Sequence, residues 1–236
     1  MKKFELTSEF VTFLGKTLFR IKALVSFGDV AKGELGGFIE REDNLDQSGD
    51  AWVCGNAQVF GNARVYGNAR VCGDAWVYGD AKVYGNARVY GDAKVFGNAR
   101  VYGDAWVYGD AKVFGNAQVY GDAKVFGNAQ VYGDAQVCGD AWVCGNARVY
   151  GDAKVFGNAW VQNCRDYSAT SCFGSKNRTT TFFRTKDGGI SVRCGCFYGT
   201  LREFREKVKE RHGDSRLAKE YLMLADLMEF RLSKDE

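Results

Sequence analysis

The chain has 236 residues, a formal net charge of +3 and 26% charged residues. That balance marks neither a nucleic-acid-binding nor a membrane-surface protein, and the length allows one substantial core with small terminal modules. The start, Met1-Lys2-Lys3-Phe4-Glu5-Leu6, is basic but no apolar run follows it, so neither a signal peptide nor a membrane span is expected. The corresponding expectation is a cytoplasmic protein whose eight cysteines are mostly reduced thiols. Proline is absent, which suits an architecture that needs nearly every backbone N–H in a ladder.

Residues 1–48 read as an N-terminal cap. Thr17 to Leu24 has strand character, with Phe19, Ile21 and Ala23 on one side. Glycine-punctuated turns follow at Gly28, Gly33 and Gly36-Gly37. Phe38-Ile39-Glu40 and Asp43-Asn44-Leu45 then approach the pattern of the next segment without matching it, as a terminal cap that blunts a sheet edge should.

Residues 49–162 are 19 uninterrupted copies of Gly-(Asn/Asp)-Ala-x-Val-z, from Gly49-Asp50-Ala51-Trp52-Val53-Cys54 to Gly157-Asn158-Ala159-Trp160-Val161-Gln162. Ala and Val are two apart, so in an extended segment they share a side while x and z share the other. Gly-(Asn/Asp) breaks each strand, because glycine accepts positive φ and Asn or Asp bonds its own backbone. Identical corners and identical inward pairs specify a solenoid, each strand pairing in parallel with its equivalent one coil later.

These units, a small residue two positions before an aliphatic every six residues, resemble the hexapeptide repeat of left-handed parallel β-helices. The resemblance covers about half of the chain and implies a triangular coil of three units, 18 residues. It implies little about activity, because that family spans acyltransferases, γ-class carbonic anhydrases and proteins without known activity. Together with Leu18 to Leu24 and Gly36 to Glu40, it extends to uncharacterised hexapeptide-repeat proteins of bacteria and their phages, sometimes labelled transferases by fold alone.

An 18-residue period sorts the x positions into three faces. One carries Trp52, Arg70, Arg88, Trp106, Lys124, Trp142 and Trp160, a concentration of tryptophan the other two lack. The z positions hold Tyr or Phe in 14 of 19 units, which predicts stacked aromatic ladders that stabilise neighbouring coils. More such surface than a monomer ordinarily exposes is expected to meet a partner. The candidate binding face is Trp52, Arg88, Trp106, Tyr108, Lys124, Phe126, Trp142 and Trp160, a Trp/Tyr/Arg mixture typical of interface hot spots. A homo-oligomer, dimer or trimer, or a protein partner is expected there. Nucleic acid is not, because ten Lys/Arg at x are balanced by ten corner Asp. Columns such as Asp104, Asp122 and Asp140 offer oxygen ligands for a hard cation, but turn satisfaction accounts for them equally well.

Asn163 to Asn177 reads as a linker, and residues 178–236 as a small C-terminal ββαα module. Thr180 to Arg184 and Ile190 to Cys194 form the strands, joined by Lys186-Asp187-Gly188-Gly189. Thr200 with Glu203 predicts a capping box, Leu201, Phe204 and Val208 the stripe of a first helix, and Gly213 its end. The second helix, about Ser215 to Leu232, is expected to bury Leu217, Tyr221, Leu224 and Met228, with Leu222, Ala225 and Leu232 widening the stripe. Cys164, Cys172, Cys194 and Cys196 are weak candidates for a zinc site because their spacing lacks a C-x₂-C pair, and small buried hydrophobes are the plainer reading.

No cofactor and no catalysis are expected. The family's enzymes rely on histidine, as general base or zinc ligand, and on a loop that walls a cleft. Here the single histidine, His212, lies outside the repeat, where it suits a helix C-terminus, and the array has no excursion. The function expected is a non-catalytic solenoid scaffold that binds through the Trp-rich face, with the C-terminal module setting partner choice. The alternatives are a phage-type inhibitor or sequestering protein of a host defence system with a protein or nucleotide-like ligand, and an acyltransferase-like enzyme with an intersubunit cleft.

Overall fold

In a computed structural model, residues 2–233 are described. Each repeat unit contributes a two-residue strand, its x-Val pair, from Trp52–Val53 to Trp160–Val161. Every such strand pairs in parallel with the one 18 residues on, as Arg88↔Trp106 and Val89↔Val107 do. The solenoid therefore has three sheets, one of seven strands through the tryptophan column, one of six, and a third that continues into the cap. Ladder bonds such as Arg88 N–H to the Ala105 carbonyl, 2.9 Å, and Tyr90 N–H to Val107, 3.0 Å, repeat coil after coil. All the Ala and Val residues of the repeat are inside, so the core of the coils is two residue types, each stacked on its own kind from rung to rung. Each buried Val contributes about 1.5–3 kcal/mol relative to leaving it in water.

The z aromatics stack rather than stand free. In Phe60–Tyr78–Phe96–Phe114–Tyr132 the ring centroids lie 4.8–5.0 Å apart with planes within 4°. Tyr66–Tyr84–Tyr102–Tyr120 and Tyr90–Tyr108–Phe126 do the same on the other two corners. Where the ladder would begin beside the cap, Cys54 and Cys72 stand one rung apart and are joined as a disulfide. This departs from the all-thiol expectation for that pair.

The cap contains a strand that the sequence reading did not include. Strand β1 (Phe4–Phe13) pairs antiparallel with β2 (Lys16–Ala23), which pairs antiparallel with β3 (Leu35–Ile39). β1 went unread because it is a half-solvated ribbon with Glu5, Ser8 and Glu9 exposed, and so shows no apolar alternation. β3 then pairs in parallel with Gln58–Val59, and Leu45 bridges Val65, so the degenerate segments serve as a partial first rung. Leu18, Ile21 and Ala23 are the buried residues of β2, with Phe19 half-exposed, because a register shift between Arg20 and Lys22 interrupts the alternation. Lys3 finishes this end. Its ammonium donates to the carbonyls of Ser48, Gly49 and Ala51 at 3.3, 3.2 and 2.9 Å, which the first rung would otherwise leave unpaired. Burial pushes that ammonium down to about 8, against the pull of Asp46 and Asp50.

The C-terminal module has four strands, not two. β23 (Tyr167–Phe173), counted after the 19 solenoid strands, lies inside the segment read as a linker; β24 (Arg178–Arg184), β25 (Ile190–Cys194) and β26 (Phe197–Thr200) complete an antiparallel sheet. The small polar run Ser168-Ala169-Thr170-Ser171 carries little strand signal because half of it faces water. β24 plugs the open end of the solenoid: Phe183 joins the solenoid core while its neighbour Phe182 packs on the helices. Asp166, buried, accepts from the Gln162 and Asn163 N–H groups and pairs with Arg184 at 3.3 Å. Arg184 in turn donates to the Leu232 and Ser233 carbonyls.

α1 (Leu201–His212) starts at the Thr200–Glu203 capping box and ends at Gly213, and α2 (Arg216–Leu232) starts at Ser215. The buried stripe of α2 is Ala218, Tyr221, Ala225, Met228 and Leu232. Leu217, Leu222 and Leu224 are only half-buried, and Met223, Leu227 and Phe230 are exposed. Apolar residues on both sides of this helix are what misplaces the stripe in a sequence reading. No helix of the described residues is long and apolar enough to cross a membrane.

Candidate functional site

The seven-stranded sheet brings most of the predicted face together. From Arg88 to Trp142 its x positions alternate cation and indole from rung to rung. The Arg88 guanidinium lies 5.3 Å from the Trp106 ring, and the Lys124 ammonium lies 5.0 Å from Trp106 and 5.2 Å from Trp142. Cations over indole faces at these distances attract by about 0.5–1 kcal/mol each when exposed. The z ladder flanks this stripe: Tyr90 meets Trp106, and Phe126 meets Trp142, edge to face at 6.1 Å. Tyr108 stacks between Tyr90 and Phe126. Burial raises the Tyr90 and Tyr108 hydroxyl pKa values, so both rings stay neutral.

One member of the predicted set is placed differently. Trp52 is 0% exposed, beneath Phe4 and Phe27 of the cap with ring centroids at 6.5 and 5.4 Å, and so cannot contribute to a binding face. The cap, whose first strand the sequence reading lacked, covers it. Trp160, at the other end, is 38% exposed and continues the stripe beyond Trp142.

Sequence reasoning missed Lys186. The hairpin of the C-terminal module lays its ammonium 4.3 Å from the Trp142 ring and donates it to the Asp140 carbonyl at 2.6 Å. Burial and the nearby Lys124 lower its pKa while Asp140 raises it. No motif marks such a residue, because its role comes from docking of the module. Beside the stripe runs an open groove of about 730 Å³, walled by Asp104, Asp122 and Asp140 opposite Arg88, Lys124 and Lys186. Its chemistry is parallel columns of opposite charge, with the indoles inside the cationic column.

The candidate zinc cysteines do not converge. Cys164, Cys172 and Cys196 are exposed and Cys194 is half-buried, against the expectation of small buried hydrophobes. Among the described residues no group of three or more His, Cys, Asp or Glu is arranged to hold a metal ion, the corner aspartate columns included. His212 lies at the end of α1, its ring 5.7 Å from that of Tyr221.

Five segments of the array, residues 57–73, 63–79, 81–95, 93–109 and 117–133, match the family model described as the YdcK beta solenoid repeat. No curated protein matches the chain. The likeness thus lies within the coils and concerns their fold: the chain is a β-solenoid repeat protein whose repeats are similar to those of YdcK.

Proposed function

We propose that this protein is a non-catalytic binding scaffold that self-associates through the sheet bearing Trp106, Trp142 and Trp160. The observation that carries the reading is the alternation Arg88–Trp106–Lys124–Trp142, held at rung spacing on a rigid sheet, with Lys186 of the C-terminal hairpin laid over Trp142. Side chains fixed in advance by stacking lose little entropy on association, so their contact area converts efficiently into affinity. Tryptophan and arginine are also the residues that dominate measured interface energies.

The charge columns select a geometry. The aspartates stand two residues before the x positions, about 6–7 Å to one side of the indole-cation stripe. A twofold axis parallel to the coil axis places the carboxylates of one copy over the cations of the other. A twofold across the coil axis instead opposes like charges. The proposed assembly is therefore a dimer with parallel coils.

Sizing chromatography with light scattering tests this. The expected result is a dimer that becomes a monomer in Trp106→Ala/Trp142→Ala and weakens in Lys124→Glu, with assembly recovered by the exchange Asp122→Lys/Lys124→Asp. A wild-type monomer at high protein concentration, or a dimer indifferent to both tryptophans, overturns the proposal.

A further inference from the structure

A second candidate site lies in the C-terminal module, away from the tryptophan face and independent of its role. Between α1 and the β23–β24 and β25–β26 turns there is a cavity of about 300 Å³. Its walls include four aromatic rings, Phe173, Phe197, Phe204 and Tyr221, arranged edge to face or tilted at 5.5–5.8 Å. Its remaining lining includes Lys176, Arg178, Lys207, Arg211 and His212, and no carboxylate.

Basic residues in the last turn of α1 have an ordinary explanation, since they complement the helix dipole. Lys207 is moreover paired with Glu210 at 2.7 Å. That explanation does not reach Lys176 and Arg178, which come from the β23–β24 connection and face the same cavity. Two unrelated elements thus bring cations to one aromatic-walled hollow, and nothing in its lining neutralises them. Such a site favours an anion on its rim and a flat apolar body in its interior. Its volume is at the lower end of small-molecule sites, which suits one ring system with one charged group and is too small for a peptide segment or a dinucleotide.

We infer that this cavity binds a small phosphorylated molecule carrying a planar ring, of the size of a nucleoside monophosphate. Lys176, Arg178 and Arg211 hold the phosphate, and Phe197, Phe204 and Tyr221 hold the ring.

Calorimetric titration of the full chain with adenosine monophosphate, adenosine and inorganic phosphate tests the inference. The nucleotide is expected to bind at least about tenfold more tightly than either fragment, since both halves of the cavity contribute. Lys176→Ala/Arg178→Ala, two exposed positions whose loss spares the core, is expected to weaken nucleotide binding by at least about tenfold. Lys209→Ala, on α1 but outside the lining, should leave it unchanged, and thermal melts of both variants verify that they fold. Absence of nucleotide binding in the millimolar range, equal binding of either fragment, or indifference to the double substitution overturns the inference.

Discussion

The corner glycines allow the solenoid's close packing to be measured against backbone conformation alone. Gly85 and Gly151 both occupy the left-handed region, with φ of +71° and +63°. They differ in what lies on the next rung. A Cβ on Gly85 meets the Gly103 backbone N at 3.0 Å and its O at 3.1 Å, whereas a Cβ on Gly151 meets nothing within 4 Å, because no further coil follows. Gly151→Ala therefore incurs only the left-handed penalty, about 1–2 kcal/mol, reduced by the lower entropy of the unfolded chain. Gly85→Ala incurs the same penalty plus an overlap with backbone that the ladder holds in place, about 1–3 kcal/mol more. Urea unfolding followed by circular dichroism, with thermal melts in parallel, should rank wild type above Gly151→Ala and Gly151→Ala above Gly85→Ala. Equal losses within about 0.5 kcal/mol would refute the claim that rung-to-rung approach, and not turn geometry alone, requires glycine at these corners.

Trp52→Ala should cost about 3–5 kcal/mol, the range for emptying a large buried aromatic site, because the indole is enclosed by Phe4, Phe27 and the rung above. Trp160→Ala should cost under about 1 kcal/mol. Similar melting temperatures for the two variants would contradict the placement of the cap. Stability should also fall as pH rises from about 10 to 12. Burial raises the pKa of Tyr66, Tyr78, Tyr90, Tyr102 and Tyr108 above that of an unfolded tyrosine, so their contribution is complete below about pH 10 and is lost as pH climbs through the folded values. The buried Cys138 and Cys144 thiols act with the same sign from a lower pH. Lys3 opposes them: its folded value, about 8, lies below that of a free lysine, so its contribution grows between pH 8 and 10.5. Lys186, also lowered by burial, acts with the sign of Lys3, and both gains are over by about pH 10.5, where the tyrosine loss proceeds. Spectrophotometric titration should find tyrosinate forming later in the folded protein than in urea, and coincident curves would refute the assignment.

The array was legible because one physical requirement repeats. An inward Ala, an inward Val and a left-handed corner each leave one residue type at one phase, so strands, register and the tryptophan column follow from spacing alone. The termini were less legible because their residues answer to several neighbours at once. Phe183 faces the solenoid and Phe182 the helices, a division no local pattern announces. Lys3 is an ordinary surface lysine by sequence, and only the unpaired carbonyls of the first rung give it a buried place. The candidate face has Trp106, Lys124 and Trp142 side by side on one sheet, as their spacing requires, where only coils intervene. It was misread at Trp52 and incomplete at Lys186, where terminal modules fold over the coil ends.

The tryptophans themselves indicate what a partner would supply. Trp76, on the neighbouring sheet, lies beside Asp74, Asp92, Lys94 and Lys112, the same mixture of charges that surrounds Trp106. There the mixture is already engaged: Phe13 of the cap packs on Trp76 with centroids 4.4 Å apart, and Lys94 lies 4.1 Å from its ring. Trp52 is likewise covered by cap aromatics, and Trp142 by Lys186 from the opposite end. Each of these three indoles is thus covered by a segment that folds back onto the coil. Trp106 is too far from either end for that and touches only neighbours on its own sheet, Tyr90, Arg88 and Lys124. The chain repeatedly lays a folded-back segment over its own tryptophans, and in the proposed dimer the face of the second copy takes that place over Trp106.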